Sequence, residues 1–224
     1  MMKTCYIVGA GAFFPERFRP EPGDYVIAAD AGYRHLTEIG VEPDLVIGDF
    51  DSLGAAPERP NVIVCPVQKD DTDTLVAVRR AIDMGFSRIM IFGGTGGRLD
   101  HTLANIQTLG FAANRGAEAF LFGEDFVLTV LAGGRLRFSG YSGGFSVFSL
   151  GGRARGVWES GVAYPLFDAE LTCDFPMGVS NEFASPETEI SVREGAIIVF
   201  WKDNANRPLP KREICRKESN EEAK

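Results

Sequence analysis

The fold is decided by one stretch of the chain, residues 88–101, which reads Arg-Ile-Met-Ile-Phe-Gly-Gly-Thr-Gly-Gly-Arg-Leu-Asp-His. A short apolar run comes first, and a glycine-rich turn follows it at once. Beyond the turn, Leu103, Ile106 and Leu109 recur with the spacing of one helix face. A buried strand, a glycine-rich turn and a helix in this order are typical of an α/β protein with a parallel sheet.

The same alternation extends over the first half of the chain. Two more helix patterns, Ala31–Ile39 and Thr74–Met84, are each followed by a glycine that suits a helix C-terminus. The apolar runs predict strands at Thr4–Val8, Tyr25–Ala29, Leu45–Ile47, Val62–Cys65, Arg88–Phe92 and Ala117–Phe122. We therefore predict an N-terminal α/β/α domain with a parallel sheet over residues 1–124.

The character of the sequence changes near Asp125. Short strand-like runs with frequent glycines predict strands at Phe126–Leu131, Leu136–Ser139, Phe145–Leu150, Glu170–Cys173, Glu189–Val192 and Ala196–Trp201. No convincing helical pattern interrupts them, which is typical of a small antiparallel sandwich or barrel. We place a second domain at residues 125–202 and expect the polar segment 203–224 to be flexible.

Composition argues against several classes of function. The net charge of −8 disfavours sequence-independent nucleic-acid binding, which needs a cationic surface. The apolar run at the N-terminus is too short for a signal peptide, and no run approaches the length of a membrane span. Cys5, Cys65, Cys173 and Cys215 form no CxxC pair, so a zinc site is not expected. We expect a soluble, cytoplasmic protein with reduced thiols and no membrane or nucleic-acid partner.

Acidic residues follow the predicted strands at the points where those strands end. Asp30 follows the second strand, and Asp49 and Asp51 follow the third. Residues 70–73, Asp-Asp-Thr-Asp, come soon after the fourth, and the glycine-rich turn at 93–97 follows the fifth. The carboxyl ends of parallel strands lie along one rim, so these groups should converge in one crevice. Crowded carboxylates need a cation, and Mg²⁺ with phosphate oxygens and water suits them.

Each of these elements also has a purely structural interpretation. Thr72 or Asp73 can cap the following helix, and the Asp-Phe-Asp triplet at 49–51 can be a solvated turn. The glycines at 93–97 can serve a tight turn, although such a turn before a helix also suits phosphate, and Arg98 adds a cation beside it. Their predicted location on one rim favours the functional interpretation.

The sequence contains partial matches to two nucleotide-binding motifs. Gly9-Ala-Gly11 with Asp30 resembles the start of a dinucleotide fingerprint, but Phe14 occupies the place of the third glycine. The turn at 93–97 lacks the Lys-Ser/Thr ending of a P-loop. An NAD site and a Walker-type ATPase are therefore disfavoured. His101 can orient a phosphate or cap its helix, and both possibilities remain open.

Six blocks of the chain share their order and spacing with one known family: Ala29–Gly32, Pro43–Ser52, Lys69–Asp73, Gly93–His101, Tyr164–Leu166 and Gly178–Phe183. They resemble the thiamine pyrophosphokinases, especially the bacterial form. The resemblance implies an N-terminal α/β nucleotide-binding domain and a C-terminal β-sandwich. It further implies transfer of pyrophosphate from ATP to the hydroxyethyl group of thiamine, and a homodimer with its active site near the subunit interface.

The resemblance also implies roles for individual residues. Asp49, Asp51 and Asp73 would hold Mg²⁺ and, with Asp100, belong to the catalytic set. Ser180 and Asn181 would bind thiamine. The resemblance and the rim argument together give the residues expected to bind ATP: Asp30, Lys69, Asp70, Thr72, Gly94, Gly96, Arg98 and His101.

Two other functions remain open at this stage. A metal-dependent glycosyltransferase can also use an Asp-x-Asp pair beside a nucleotide sheet, but it leaves residues 69–73 and 180–182 unexplained. A non-catalytic sensor of thiamine or a nucleotide could do without several of the carboxylates.

Overall fold

The structure, a computed structural model, describes residues 3–51, 54–66, 71–203 and 205–213. The chain divides into two compact units. The first runs up to Val130 and takes in Phe200–Asn206, and the second comprises Leu131–Val199 with the segment from Arg207 onward. The assignment of separate functions to residues 1–124 and 125–202 stays a prediction.

The first unit contains a mixed sheet. Its strands are β1 (Thr4–Val8), β2 (Tyr25–Ala29), β3 (Leu45–Gly48), β4 (Val62–Val64), β5 (Arg88–Phe92), β6 (Glu118–Phe122) and β7 (Phe126–Leu131). They lie in the order β7-β6-β5-β1-β2-β3-β4. All of these neighbours are parallel except β6 and β7, which form an antiparallel pair. The predicted α/β fold is confirmed, and antiparallel β7 makes its sheet mixed.

Helices cross between the parallel strands of this unit: α1 (Gly32–Glu38), α2 (Asp73–Asp83) and α3 (Leu99–Ala113). The central strands are apolar throughout because they lie in the interior, and Ile7 in β1 and Ile91 in β5 are fully buried. Helix α2 packs its small side chains inward, including Ala77 and Ala81. No helix in the described part of the chain has the length and apolar character needed to cross a membrane.

Residues from the far end of the chain complete the first unit. Trp201 is fully buried, and its ring meets Phe120 edge-on at a centroid distance of 6.3 Å. Phe200 stacks on Phe126 at 5.0 Å. The first unit therefore includes two aromatic side chains that residues 131–199 separate in sequence from the rest of it.

The second unit is antiparallel. Its strands are β8 (Gly134–Ser139), β9 (Gly143–Ser149), β10 (Ala154–Ser160), β11 (Leu166–Leu171), β12 (Asn181–Phe183), β13 (Glu187–Val192), β14 (Ile197–Lys202, whose last residues belong to the first unit) and β15 (Lys211–Glu213). Five of them form a sheet in the order β11-β10-β13-β8-β15, and β9 pairs with β12. The predicted second, antiparallel sheet is confirmed, whereas its arrangement as a sandwich stays a prediction.

The segment expected to be flexible supplies strand β15. Lys211–Glu213 pairs with β8, and the Glu213 carboxylate lies 3.7 Å from Arg135 and 3.2 Å from Arg137. The Tyr141 hydroxyl donates to the Pro208 carbonyl at 2.7 Å. Ladder hydrogen bonds and ion pairs thus hold residues 211–213, and residues 214–224 lie outside the described part of the chain. The flexibility of 203–224 stays a prediction.

Candidate active site

A cleft of about 580 Å³ lies in the first unit, where the parallel strands end. The segments after β1, β2 and β5 contribute to its walls, together with the first turns of α2 and α3. The lining includes Asp30, Asp49, Thr72, Asp73, Gly94, Arg98 and His101, all of them residues expected from the sequence. The structure thus brings groups from four separate segments together, while Lys69 and Asp70 lie outside the described residues.

Three carboxylates form the acidic group of this site. Asp30, Asp49 and Asp51 each offer an oxygen, and these oxygens all lie within 4.8 Å of one another. Asp30 is buried, and its Oδ1 has no hydrogen-bond partner among the described residues. Close carboxylates repel one another, and a buried oxygen without a donor is costly. A divalent cation would relieve both costs, and an all-oxygen donor set of this kind fits Mg²⁺.

Asp73 was predicted as the third metal ligand, but the structure places Asp30 with Asp49 and Asp51 instead. Asp73 begins helix α2 and lines the same cleft without belonging to the acidic group. Its part in metal binding stays a prediction.

The backbone at the acidic group is strained. Asp30 has φ +48° and Phe50 has φ +61°, a left-handed conformation that a bulky aromatic residue rarely adopts. The Phe50 side chain is buried at 2 % exposure, so it anchors the turn between Asp49 and Asp51. At Gly48, a Cβ would lie only 3.0 Å from the Asp30 Cα, which explains why a glycine ends β3. The left-handed backbone at Asp30 and Phe50 accompanies the close approach of the three carboxylates.

The glycine-rich turn at 93–97 keeps its carbonyl groups occupied. Three donors from neighbouring segments hold them: Gly11 N–H to Gly93 O (2.7 Å), Ala12 N–H to Thr95 O (2.8 Å) and Asn105 Nδ2–H to Gly94 O (2.9 Å). Thr95 also forms an isolated antiparallel bridge with Ala12, which ties the turn to the segment after β1. A glycine-rich turn that leads into a helix suits an anion such as phosphate, because backbone N–H groups at the start of a helix have no partner within the helix.

The first loop, residues 9–24 between β1 and β2, supports the glycine-rich turn. This structural role accounts for Gly9 and Gly11, which resemble part of a dinucleotide-binding motif. The N–H groups of Gly9, Gly11 and Ala12 donate to carbonyl groups of β5 and of the turn that follows it. A Cβ on Gly11 would come within 2.5 Å of the Thr95 carbonyl oxygen, so the glycine permits a close approach of two backbones. His35 contacts the Gly11 carbonyl oxygen through Nε2 at 2.8 Å.

Asp71 and Thr72, which precede α2, both line the cleft and form hydrogen bonds with α2. The Thr72 hydroxyl oxygen accepts the Leu75 N–H at 3.2 Å, so Thr72 caps the helix while lining the cleft. Asp71 also lines the cleft, but its carboxylate accepts from Arg79, at 2.8 Å for the shorter contact. One negative charge of this segment is therefore offset by α2 itself.

Arg98 and Asp100 form an exposed pair at the start of α3. The guanidinium donates to both carboxylate oxygens, at 2.6 and 3.1 Å, and the His101 N–H donates to the same carboxylate at 3.0 Å. The Arg98 hydrogen bond lowers the pKa of Asp100, so Asp100 is ionised at neutral pH. Arg98 and His101 line the cleft.

In the second unit, Asn181 uses its whole side-chain amide internally. Nδ2 donates to Glu159 (2.7 Å) and to the Tyr164 carbonyl (2.8 Å), and Oδ1 accepts from the Tyr164 and Glu182 N–H groups. Ser180 is exposed and has φ +61°. Thiamine binding by Ser180 and Asn181 stays a prediction, and the geometry gives Asn181 a shaping role in this segment.

Asn105 was missed by the sequence reasoning. It is 5 % exposed, lies on α3 and reaches the glycine-rich turn. The signal was available, since an amide in a helix whose neighbours Leu103 and Ile106 are apolar suggests a specific hydrogen bond.

The acidic group and the glycine-rich turn share one cleft of an α/β unit, which is the geometry of proteins that bind phosphate compounds through a cation. Comparisons with known proteins identify the family. Residues 21–121 match "Thiamin pyrophosphokinase, catalytic domain", and residues 138–197 match "Thiamin pyrophosphokinase, vitamin B1 binding domain". The chain therefore belongs to the thiamine pyrophosphokinase family and is an enzyme.

Individual relatives agree with this assignment over most of their length. The chain is 27% identical to the thiamine pyrophosphokinase of Bacillus subtilis, covering 89% of this chain and 98% of that protein. The crystal structure of the Bacillus subtilis enzyme aligns with a TM-score of 0.81 at 26% identity, covering 90% of this chain and 100% of that one. The enzyme from Geobacillus thermodenitrificans aligns with a TM-score of 0.76 at 27% identity, covering 91% and 99%.

Proposed function

We propose that this chain transfers a pyrophosphoryl group from ATP to the hydroxyethyl oxygen of thiamine, which gives thiamine diphosphate and AMP. Family membership supports the reaction. The observation that carries it is the placement of the acidic group and the glycine-rich turn at one cleft. Such transfers depend on positioning and charge neutralisation more than on covalent help from the protein.

In this proposal Asp30, Asp49 and Asp51 hold Mg²⁺, with Asp73 close to it. When bound, the ion would offset the repulsion between the carboxylates and the phosphates and stabilise the charge that develops on the transferred group. The buried, unpartnered Oδ1 of Asp30 supports this assignment because an ion would satisfy it.

The phosphates of ATP would lie against the glycine-rich turn, whose N–H groups at Gly94 and Gly96 are candidates to receive them. Arg98 supports the same placement, because its side chain is 71% exposed and its guanidinium can exchange Asp100 for a phosphate oxygen. Lys69 and Asp70 remain predicted ATP contacts, and His101 lies close enough to the cleft to orient a phosphate.

The thiamine hydroxyl must lose a proton as its oxygen attacks the β-phosphorus. Asp73 is our candidate for the acceptor, because it lines the cleft and does not belong to the acidic group. Asp100 is assigned to nucleotide contact instead, since its carboxylate is held by Arg98.

The second unit would bind thiamine through the segment around Ser180 and Asn181, in a homodimer with the active site near the subunit interface. Exposed aromatic side chains on this unit support an interface, because large exposed apolar groups mark binding surfaces. Trp158, Tyr164 and Phe167 are 43%, 70% and 62% exposed. The proposal includes a cytoplasmic location, consistent with the scattered free cysteines.

Incubation of the protein with ATP, Mg²⁺ and thiamine tests the proposal. AMP and thiamine diphosphate should appear in equal amounts, and neither should form without thiamine. Asp73→Asn should abolish turnover while the far-UV circular dichroism stays native, and Asp83→Asn at the exposed end of the same helix should be fully active. Near-normal AMP formation by Asp73→Asn would remove Asp73 from the mechanism.

The same assay separates the alternative functions. A glycosyltransferase would consume a sugar nucleotide instead of ATP, and a sensor would bind thiamine or nucleotide without producing AMP. Either result would overturn the proposed reaction.

A further inference from the structure

Asn181 lies at the end of a short backbone ladder in the second unit. Val162 forms an antiparallel bridge with Phe183 of β12. One residue further along, the Ala163 N–H donates to the Glu182 carbonyl at 2.9 Å. These contacts hold the segment after β10 against β12, and Asn181 is the residue with which β12 begins.

The Asn181 side chain continues this ladder in place of a backbone group. Its Nδ2 donates to the Tyr164 carbonyl at 2.8 Å, and its Oδ1 accepts from the Tyr164 N–H at 3.0 Å. A side-chain amide carries the same donor and acceptor as a peptide group, so it can pair with both polar groups of one residue. The backbone leaves the extended conformation just before this point, since Ser180 has φ +61°. The amide therefore connects the Tyr164 segment to the turn at Ser180.

This connection requires the amide to keep one orientation. A rotation by 180° would exchange Nδ2 and Oδ1, which would set donor against donor and acceptor against acceptor at Tyr164. The Oε2 of Glu159 also accepts from the Asn181 Nδ2, at 2.7 Å. In the rotated state the amide oxygen would face this carboxyl oxygen, and two acceptors repel each other. Glu159 therefore favours the orientation that pairs with Tyr164.

Stability alone does not account for an acid at position 159. Glu159 is 1% exposed, and its Oε1 has no hydrogen-bond partner among the described residues. Its neighbours in register are apolar, Leu166 on β11 and Ile190 on β13. A buried polar atom without a partner costs free energy, and an apolar side chain of similar size would avoid that cost. A buried acid in such surroundings is typical of a functional position.

We propose that Glu159 is a positioning residue for thiamine: by accepting from Asn181, it fixes the amide that holds the Tyr164 segment against the turn at Ser180. This inference rests on the proposed function, because it takes the segment around Ser180 and Asn181 to bind thiamine. Glu159 acts through Asn181 and, being buried, needs no contact with the substrate.

Two variants of Glu159 test the proposal. Glu159→Leu removes the acceptor, whereas Glu159→Gln keeps a carbonyl oxygen that can accept from Asn181. At pH 6, below the raised pKa of Glu159, the acid and the glutamine are both neutral, so the comparison does not change the charge. In Glu159→Leu, KM for thiamine should rise about tenfold while KM for ATP stays within about twofold. Glu159→Gln should keep KM for thiamine within about threefold of the native value.

Val157→Ala is the matched control. Val157 is fully buried on the same strand, and its side chain has no polar atom. This variant should have a lower melting temperature and keep both KM values within about twofold. A native KM for thiamine in a folded Glu159→Leu protein would overturn the proposal. An equal rise of KM for thiamine and ATP would also overturn it, because that result indicates general damage.

A measurement on the native protein keeps the proposal testable if Glu159→Leu does not fold. With Mg²⁺ and a non-hydrolysable ATP analogue present, NMR should show slow solvent exchange of the Asn181 side-chain amide protons. Added thiamine should shift the Ser180 backbone amide and leave the Asn181 side chain protected. Rapid exchange of the Asn181 amide, before or after thiamine is added, would overturn the proposal, because the amide would not be fixed.

Failure of the proposed function gives a different result. It appears as a native protein that forms neither AMP nor thiamine diphosphate, whatever the exchange of the Asn181 amide. Failure of this inference appears in a native protein that is active, as an unchanged KM for thiamine in Glu159→Leu or as an unprotected Asn181 amide.

Discussion

Arg17 and Asp203, 186 positions apart in the sequence, form a bidentate ion pair inside the first unit. The guanidinium donates to both carboxylate oxygens, at 2.6 Å for the shortest contact, and the two side chains are only 9% and 15% exposed. The pair joins the proline-rich first loop to the returning segment Phe200–Asn206. Since the first loop braces the glycine-rich turn, this ion pair supports the candidate site from a distance.

Asp203→Asn should destabilise the protein on the order of 3 kcal/mol, because it removes the charge opposite a buried guanidinium. Urea unfolding at neutral pH measures this loss. Asp125→Asn is the control: Asp125 lies 3.9 Å from Lys202 in a pair about two-thirds exposed, so its loss should cost less than about 0.5 kcal/mol. Equal effects of the two variants would contradict the importance of burial.

Gly32→Ala should prevent native packing between the start of α1 and β1. A Cβ at this position would lie 1.9 Å from the Val8 carbonyl oxygen, so the backbone must move apart. We expect a loss of about 3 kcal/mol or more, or failure to fold, in thermal and urea unfolding. Gly152→Ala meets no heavy atom within 4 Å and should leave stability unchanged, so a similar loss there would point to a different cause.

Asp30→Asn should have opposite effects on stability and on metal binding. Without metal it removes one of three crowded charges, and asparagine tolerates the left-handed backbone, so the melting temperature should stay equal or rise. The affinity for Mg²⁺ in the presence of a non-hydrolysable ATP analogue, measured by calorimetry, should fall at least about tenfold. A variant with lower metal-free stability and intact Mg²⁺ affinity would contradict the assignment of Asp30 to the metal site.

Glu159 should make stability depend on pH between about 4.5 and 7. It is 1% exposed, burial raises its pKa to about 7, and the Asn181 hydrogen bond opposes that rise only in part. Because the folded-state pKa lies above the unfolded value, this contribution is present in full at low pH and is lost as pH rises through about 7.

The ionisation of Glu159 should therefore cost on the order of 3 kcal/mol at pH 8. Glu159→Gln should lack this part of the decline when unfolding free energies at pH 5 and pH 8 are compared. An unchanged difference between the two pH values would show that other groups produce it.

The sequence was most informative where apolar runs are long. Strands β1, β2 and β5 and their bounds were predicted correctly because their residues are buried on every side. Strand β10 was not predicted. Gly156, at φ +64°, interrupts the alternation of apolar and polar residues in this strand, and the pairing of β10 with β11 shifts register near it.

The candidate site was predictable as a location and less so in its detail. Strand ends predicted that acids would meet, yet the partnership of Asp30 with Asp49 and Asp51 depends on left-handed backbone at Asp30 and Phe50, which no local pattern reveals. The contribution of Asn105 likewise depends on a contact across eleven positions of the chain.

The place of Trp201 in the core of the first unit has a consequence for the order of events during synthesis. Phe120, its edge-on partner, leaves the ribosome about eighty residues earlier, at a rate of roughly 5–20 residues per second. The nascent first half of the molecule therefore lacks an apolar part of its core until strand β14 has been synthesised. Translation that stops after residue 130 would release a polypeptide with this part missing, a natural target for chaperones and proteases.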